Sequence, residues 1–137
     1  MQILINETGT PGKYAQTWIT LSIMACVIDF LYVMAMRCTK HAGAYAARED
    51  RTWKFIVNSM VVYYTVLGGV LGSIDCDTYT ASAGGFMLIG LLVFSTWNIT
   101  ALITVLDWNR VTASVDMLFG IALYALLGLV SHGIKTD

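Results

Sequence analysis

Apolar residues run along the chain in four long stretches that are separated by short polar segments. These stretches predict four membrane-spanning helices over residues 16–36, 54–73, 80–106 and 111–130. About twenty helical residues are needed to cross a bilayer core, because each residue adds about 1.5 Å. Residues 37–53 form a basic link, whereas the last two stretches are joined by a tight turn. We therefore expect one all-α domain, an antiparallel bundle of four transmembrane helices.

Composition supports a membrane setting and narrows the function. The chain has 137 residues, of which 57% are hydrophobic and 12% are charged, whereas soluble domains carry about 25% charged residues. A net charge of −1 argues against a nucleic-acid partner, which would require a concentrated basic surface. The sequence contains no nucleophile–base pair, phosphate loop or metal-ligand spacing. We accordingly expect no enzyme activity, no catalytic residues, no metal site and no cofactor.

Basic residues are unevenly distributed between the ends of the spans. Most fall in the link between the first two spans or in the turn between the last two, and only Lys13 and Lys135 lie on the other side. The positive-inside rule then places the 37–53 link on the cytoplasmic or matrix side and both termini outside, in a membrane whose identity stays open. Lipid headgroups are the expected contacts of Arg37, Lys40, Arg48, Arg51 and Lys54. The link is either a solvated basic loop or a short interfacial helix with Tyr45 on its apolar face.

Each span carries one carboxylate or carboxamide in the half of the membrane that faces this link. These residues are Asp29, Asn58, Asn98 and Asp116. Counting along the helices places them roughly 6 to 13 Å from the inner boundary. A carboxylate at the centre of a transmembrane helix costs about 2.5–3.5 kcal/mol on insertion scales. We therefore expect the four side chains to turn inward and share hydrogen bonds as an intramembrane polar layer.

Two interpretations of the polar layer remain open at the level of sequence. Asp29 and Asp116 cannot both stay ionised cheaply without an embedded basic residue, so at least one should carry a proton near neutrality. Such a pair is typical of a proton or cation path. Alternatively, protonated Asp and Asn side chains hold the helices together, each hydrogen bond contributing about 0.6–2 kcal/mol.

Small residues on the second span predict close helix packing. Gly68, Gly69 and Gly72 lie near one another on the helix surface, and Gly68 and Gly72 form a G-x-x-x-G pair. Close approach can occur within the bundle or in a dimer, and the motif does not distinguish the two.

Four short segments resemble the four-helix membrane proteins grouped as domain-of-unknown-function family 2177. They are Val27–Tyr32, Trp97–Ala101, Leu106–Trp108 and Val115–Gly120. The resemblance implies a compact four-span bundle with an acidic interior, and it implies no activity. The chain departs from the family at Asn98, where the family usually has aspartate, and at Ala101, where it has asparagine. The loss of a titratable group weakens a proton relay and favours assembly.

The sequence therefore predicts a non-enzymatic multi-pass membrane protein. The leading interpretation is an accessory or structural subunit of a larger membrane complex, with the lipid bilayer and other membrane subunits, or a second copy, as partners. The alternative is a small proton- or cation-coupled carrier or channel that uses Asp29 and Asp116. Its ion or small-molecule substrate is unknown.

Overall fold

The computed structural model describes residues 2–3, 11–45 and 52–136. Four helices make up most of these residues: α1 Pro11–Met36, α2 Trp53–Gly72, α3 Tyr79–Thr104 and α4 Arg110–Thr136. All four are long and apolar enough to cross a membrane. This confirms the predicted all-helical class and the four candidate spans. A 3-10 turn, Ala42–Tyr45, lies within the link, and β1 (Gln2–Ile3) pairs antiparallel with β2 (Ile74–Asp75).

Polar side chains at the starts of three helices explain where these helices begin. The Thr52 hydroxyl accepts a hydrogen bond from the Phe55 amide of α2 at 3.2 Å, and Thr78 does the same for α3. The Asn109 side chain accepts from the Thr112 amide of α4 at 2.9 Å. Each cap satisfies an amide that has no partner inside its own helix.

The helices form an open ring in the order α2, α1, α4, α3. Packing is most extensive between α3 and α4, and α1 packs against both α2 and α4. In contrast, α2 and α3 barely approach each other. Helix α4 has more buried residues than α2 or α3. Helices α1 and α3 therefore pack on α4, α2 packs on α1, and a gap remains between α2 and α3.

Glycines bring α3 and α4 into close contact. A methyl group added at Gly128 would lie 2.6 Å from the backbone oxygen of Ser82, and one at Gly90 would lie 2.7 Å from Tyr124 Cβ. The Ser82 hydroxyl donates to the Gly128 carbonyl at 2.7 Å, which is possible because the two backbones are so close. These contacts fix the spacing of the α3–α4 pair.

The glycines predicted to mediate packing all lie against α1. The backbone of Trp18 and the Ser22 hydroxyl occupy the space next to Gly68, and the Trp18 ring lies over Gly69. Gly72 also faces Trp18, but at an ordinary contact distance of 3.5 Å for an added methyl. The close approach that the motif predicts thus occurs within this chain.

Polar contacts join the elements at the two ends of α4. Near its start, the Thr112 hydroxyl lies 2.7 Å from Nδ1 of His41, which precedes the 3-10 turn. Near its end, the Lys135 ammonium donates to the carbonyls of Gly72 at 2.6 Å and Ile74 at 2.8 Å and pairs with Asp75 at 2.6 Å. Lys135 therefore bonds the carbonyl of the last residue of α2, which has no acceptor role within its own helix, and also joins α4 to β2.

Candidate functional site: an acidic aromatic cavity

A cavity of about 480 Å³ lies between the helices and is bounded by all four of them, the 3-10 turn and Trp108. Asp29 and Asp116 both line it. None of the described residues that line it is a lysine, arginine or histidine. Small-molecule sites typically enclose about 300–1,000 Å³, so the cavity has room for a ligand. Eight of its lining residues are aromatic: Tyr32, Tyr45, Tyr63, Tyr64, Phe94, Trp97, Trp108 and Tyr124.

Asp116 is held by two donors from different elements. Its Oδ2 accepts a hydrogen bond from Asn98 Nδ2 at 2.8 Å, and its Oδ1 accepts from the Tyr45 hydroxyl at 3.2 Å. Asn98 is in turn fixed by Trp108, whose Nε1 donates to Asn98 Oδ1 at 2.9 Å. With 4% of its surface exposed, Asp116 is buried within a chain of hydrogen bonds that runs from the α3–α4 turn to the 3-10 turn.

Tyr45 is suited to remain a donor in this network. Burial raises the pKa of its hydroxyl above the ordinary value of 10, and the nearby Asp116 acts in the same direction. The two hydroxyls are 2.8 Å apart, and the Tyr32 ring stacks on Phe119 with centroids 3.8 Å apart. The phenol therefore stays protonated and continues to donate to Asp116.

Asp29 has a different environment. It is half-buried, and from the described residues it accepts a single hydrogen bond, from the Tyr64 hydroxyl of α2. An ionised carboxylate has about four acceptor sites. Most of the acceptor capacity of Asp29 is therefore unused at the edge of the cavity.

Tyr124 contributes a second group with an incomplete set of partners. Its side chain is 1% exposed and lines the cavity, yet its hydroxyl makes no hydrogen bond of normal geometry with the described residues, although Tyr63 lies nearby. Buried hydroxyls are normally hydrogen-bonded, and one without a partner requires an explanation. Among the described residues, the cavity thus contains both an acceptor with spare capacity and a buried hydroxyl that makes no hydrogen bond of normal geometry.

The structure brings together part of the sequence-predicted polar layer. Asn98 and Asp116 are in direct contact, and Asp29 lines the same cavity. Asn58 lies instead on the outer surface of α2, away from the residues that line the cavity. Tyr64 takes the place of Asn58 as the polar group that α2 contributes. No periodic pattern in the sequence distinguishes Tyr64 from its exposed neighbour Tyr63.

The structure describes only part of the basic link. Arg37 donates through Nε to the Tyr45 carbonyl at 2.9 Å, while Lys40 and Lys54 are exposed. Arg48 and Arg51 lie outside the described residues. The Tyr45 hydroxyl donates to Asp116. Tyr45, predicted to lie on the apolar face of an interfacial helix, therefore packs against the bundle interior.

Neither the metal-ligating side chains of the described residues nor comparisons with known proteins indicate what the chain does. Across residues 2–3, 11–45 and 52–136, no group of three or more His, Cys, Asp or Glu side chains is placed to hold a metal ion. Comparison with protein-family models, with curated proteins and with solved structures finds no match for the chain. The resemblance to family 2177 therefore stays a prediction, and the function must be inferred from the geometry of the cavity.

Proposed function

We propose that the chain is an integral membrane protein with four antiparallel transmembrane helices. Large apolar side chains such as Ile23, Leu88 and Ile103 cover the outside of the helices, where lipid would replace water. The contact of His41 with Thr112 supports a basic link that shares one end of the bundle with the α3–α4 turn. The positive-inside rule then makes this the cytoplasmic or matrix end.

Within this setting, we propose a small carrier that binds a proton or another cation at Asp29 and Asp116. The observation that carries the proposal is the presence of both carboxylates on one cavity whose described lining has no basic residue. Carboxylates at membrane depth are costly unless they are paired or protonated, and they commonly mark ion and proton pathways. A cation or proton would supply the missing partner.

The two carboxylates have separate roles in this proposal. Asp116 is fixed by Asn98 and Tyr45, so it contributes a negative field without moving. Asp29 has spare acceptor capacity and contacts α2, the helix at the edge of the open ring. Asp29 is therefore the proposed site of cation uptake and release, and Asp116 the positioning and electrostatic partner.

A second candidate function is an accessory subunit of a larger membrane assembly. It is favoured by the network of Trp108, Asn98, Asp116 and Tyr45, which satisfies its own polar groups and fastens three segments together without a ligand. Other membrane subunits or a second copy would then cover the apolar surface. Because Trp18 and Ser22 already occupy the glycine face of α2, such a partner would dock on another helix surface.

Reconstitution into lipid vesicles tests the carrier function. Uptake of protons, of monovalent metal ions and of a small organic ammonium ion is measured under an imposed membrane potential for the unmodified protein and for Asp29→Asn and Asp116→Asn. Asp77→Asn is the control, because Asp77 is exposed and does not line the cavity. We expect Asp29→Asn to abolish uptake, Asp116→Asn to reduce it, and Asp77→Asn to leave it unchanged.

Uptake that is the same in all four proteins would rule out the carrier. The accessory function predicts instead that the chain copurifies with other membrane proteins in mild detergent and shows no flux when isolated.

A further inference from the structure

The walls of the cavity are better matched to an organic cation than to a bare metal ion. Calcium requires about six to eight oxygen ligands, and magnesium requires a near-octahedral set. Two carboxylates surrounded mainly by aromatic and aliphatic side chains cannot provide such a shell. Aromatic faces attract a cation electrostatically and also bind an apolar body, as in sites that recognise substituted ammonium groups.

The polar groups of the cavity indicate what the cation must offer. Asp29 has acceptor sites that no described residue uses, and the Tyr124 hydroxyl is buried without a hydrogen bond of normal geometry. Both oxygens can accept a hydrogen bond. A ligand that carries N–H donors on a positive centre would satisfy them together, whereas a fully substituted ammonium would supply charge but no donor.

The open side of the ring provides a route into the cavity. Helices α2 and α3 barely approach each other, and both contribute residues to the lining. Tyr63 of α2 and Trp97 of α3 line the cavity and are 49% and 48% exposed, respectively. A ligand with an apolar body could therefore enter from the lipid between these two side chains.

We propose that the cavity binds a protonated organic amine with an aromatic or aliphatic body, whose ammonium group donates hydrogen bonds to Asp29 and the Tyr124 hydroxyl while the aromatic walls enclose its apolar part. This inference rests on the carrier function proposed above and specifies its substrate class. Asp116 adds negative charge without direct contact, since Asn98 and Tyr45 hold its oxygens.

Binding of three matched ligands to the purified full chain in detergent tests this proposal by calorimetry. Phenethylammonium has the charge and the donors, its trimethylated analogue has the charge alone, and propylbenzene is a neutral molecule of nearly the same shape as phenethylammonium. We expect phenethylammonium to bind at least about tenfold more tightly than propylbenzene, as for one charge-assisted hydrogen bond. Equal affinity for these two ligands would overturn the proposal without the use of any variant.

Two variants then locate the ammonium group. Asp29→Asn should remove the preference for phenethylammonium over propylbenzene. Tyr124→Phe should weaken phenethylammonium binding roughly threefold to tenfold and leave the trimethylated analogue unaffected, because only the former donates to the hydroxyl. Tyr79→Phe is the matched control, since Tyr79 packs on His132 outside the cavity. Equal weakening of both cations by Tyr124→Phe would contradict the assigned hydrogen bond.

The binding experiment and the vesicle experiment test different proposals and can fail independently. Asp29-dependent cation flux without phenethylammonium binding would refute the substrate class and retain the carrier. Selective phenethylammonium binding without any flux would refute the carrier and leave a membrane-embedded amine-binding site.

Discussion

The α3–α4 pair and the α1–α2 pair each present one aspartate to the same cavity, yet they hold it differently. In the α3–α4 pair, backbone meets backbone at Gly128 and Ser82, and Asp116 has two donors. In the α1–α2 pair, Gly68 also meets a backbone oxygen, that of Trp18, but Asp29 has one donor among the described residues. Among the described residues, Asp116 is therefore the more firmly held carboxylate, while Asp29 has acceptor sites that no donor occupies.

This difference shows that two carboxylates at similar depth along their helices can have different hydrogen-bonding environments. Both aspartates were expected at similar depth, but the number of donors around each one separates a structural group from a candidate ligand-binding group. Four sets of substitutions test this difference between the two aspartates and their helix pairs, and they follow in order of decreasing effect on stability.

The largest effect is expected from filling the α3–α4 contact. Gly128→Val should lower the free energy of unfolding by about 3 kcal/mol, because the new side chain meets the backbone oxygen of Ser82, which cannot rotate away. Gly84→Val is the control, since no atom lies within 4 Å of an added methyl there, and it should change stability by less than about 0.5 kcal/mol. Thermal and denaturant unfolding in detergent measures both. Similar stabilities for the two variants would mean that α3 and α4 are not in such close contact.

Replacing each carboxylate in turn should show that Asp116 contributes more to stability than Asp29. Asp116→Ala leaves Asn98 and Tyr45 without their acceptor and should destabilise the protein by about 2 kcal/mol. Asp29→Ala leaves only Tyr64 and should cost about 1 kcal/mol. The same unfolding assay applies, and the comparison fails if Asp29→Ala is the more damaging substitution.

The turn between α3 and α4 should stabilise the protein through the hydrogen bond from Trp108 to Asn98. Trp108→Phe keeps most of the buried ring but removes the donor to Asn98, so we expect a loss of about 1 kcal/mol. Trp97→Phe provides the reference for shortening a half-exposed indole that lines the same cavity. Trp108→Phe should destabilise the protein more than Trp97→Phe does, because only Trp108 donates a hydrogen bond to Asn98. Equal losses of stability in the two variants would contradict this contribution.

The smallest effect is expected at Asn58. Since its side chain lies on the outer surface of α2, Asn58→Leu should change the free energy of unfolding by less than about 0.5 kcal/mol. Asn98→Leu, the matched substitution at a buried position, should cost about 1–2 kcal/mol. Equal losses would indicate that α2 turns Asn58 inward in the membrane.

Hydropathy predicts much of the fold, but it does not predict which residues line the cavity. The four apolar stretches predict the four helices because each is long enough to satisfy its own backbone within lipid. The sequence predicts that Asn58 belongs to the polar layer, whereas the structure places it on the exposed side of α2. It precedes Tyr64 by six residues, which rotates it roughly 240° around the helix, away from the face of α2 that Tyr64 buries.

The sequence pattern also does not predict contacts between distant segments of the chain. Tyr45 reaches Asp116 and Trp108 reaches Asn98 because the 3-10 turn and the α3–α4 turn fold over one end of the helices. The close α3–α4 approach depends on which glycines face a backbone and which face open space, as the contrast between Gly128 and Gly84 shows. Spacing along one helix contains no information about the helix opposite.

By itself, the sequence determined that this chain has four helices apolar enough to span a membrane and that two of them carry a carboxylate. Local hydropathy suffices for this, because the cost of exposing backbone and charge to lipid acts on each segment separately. Only packing between segments leaves the ring open between α2 and α3 and surrounds Asp116 with donors. The same packing leaves Asp29 and Tyr124 with hydrogen-bonding capacity that no described residue uses. Those properties depend on packing between segments, which no single segment encodes.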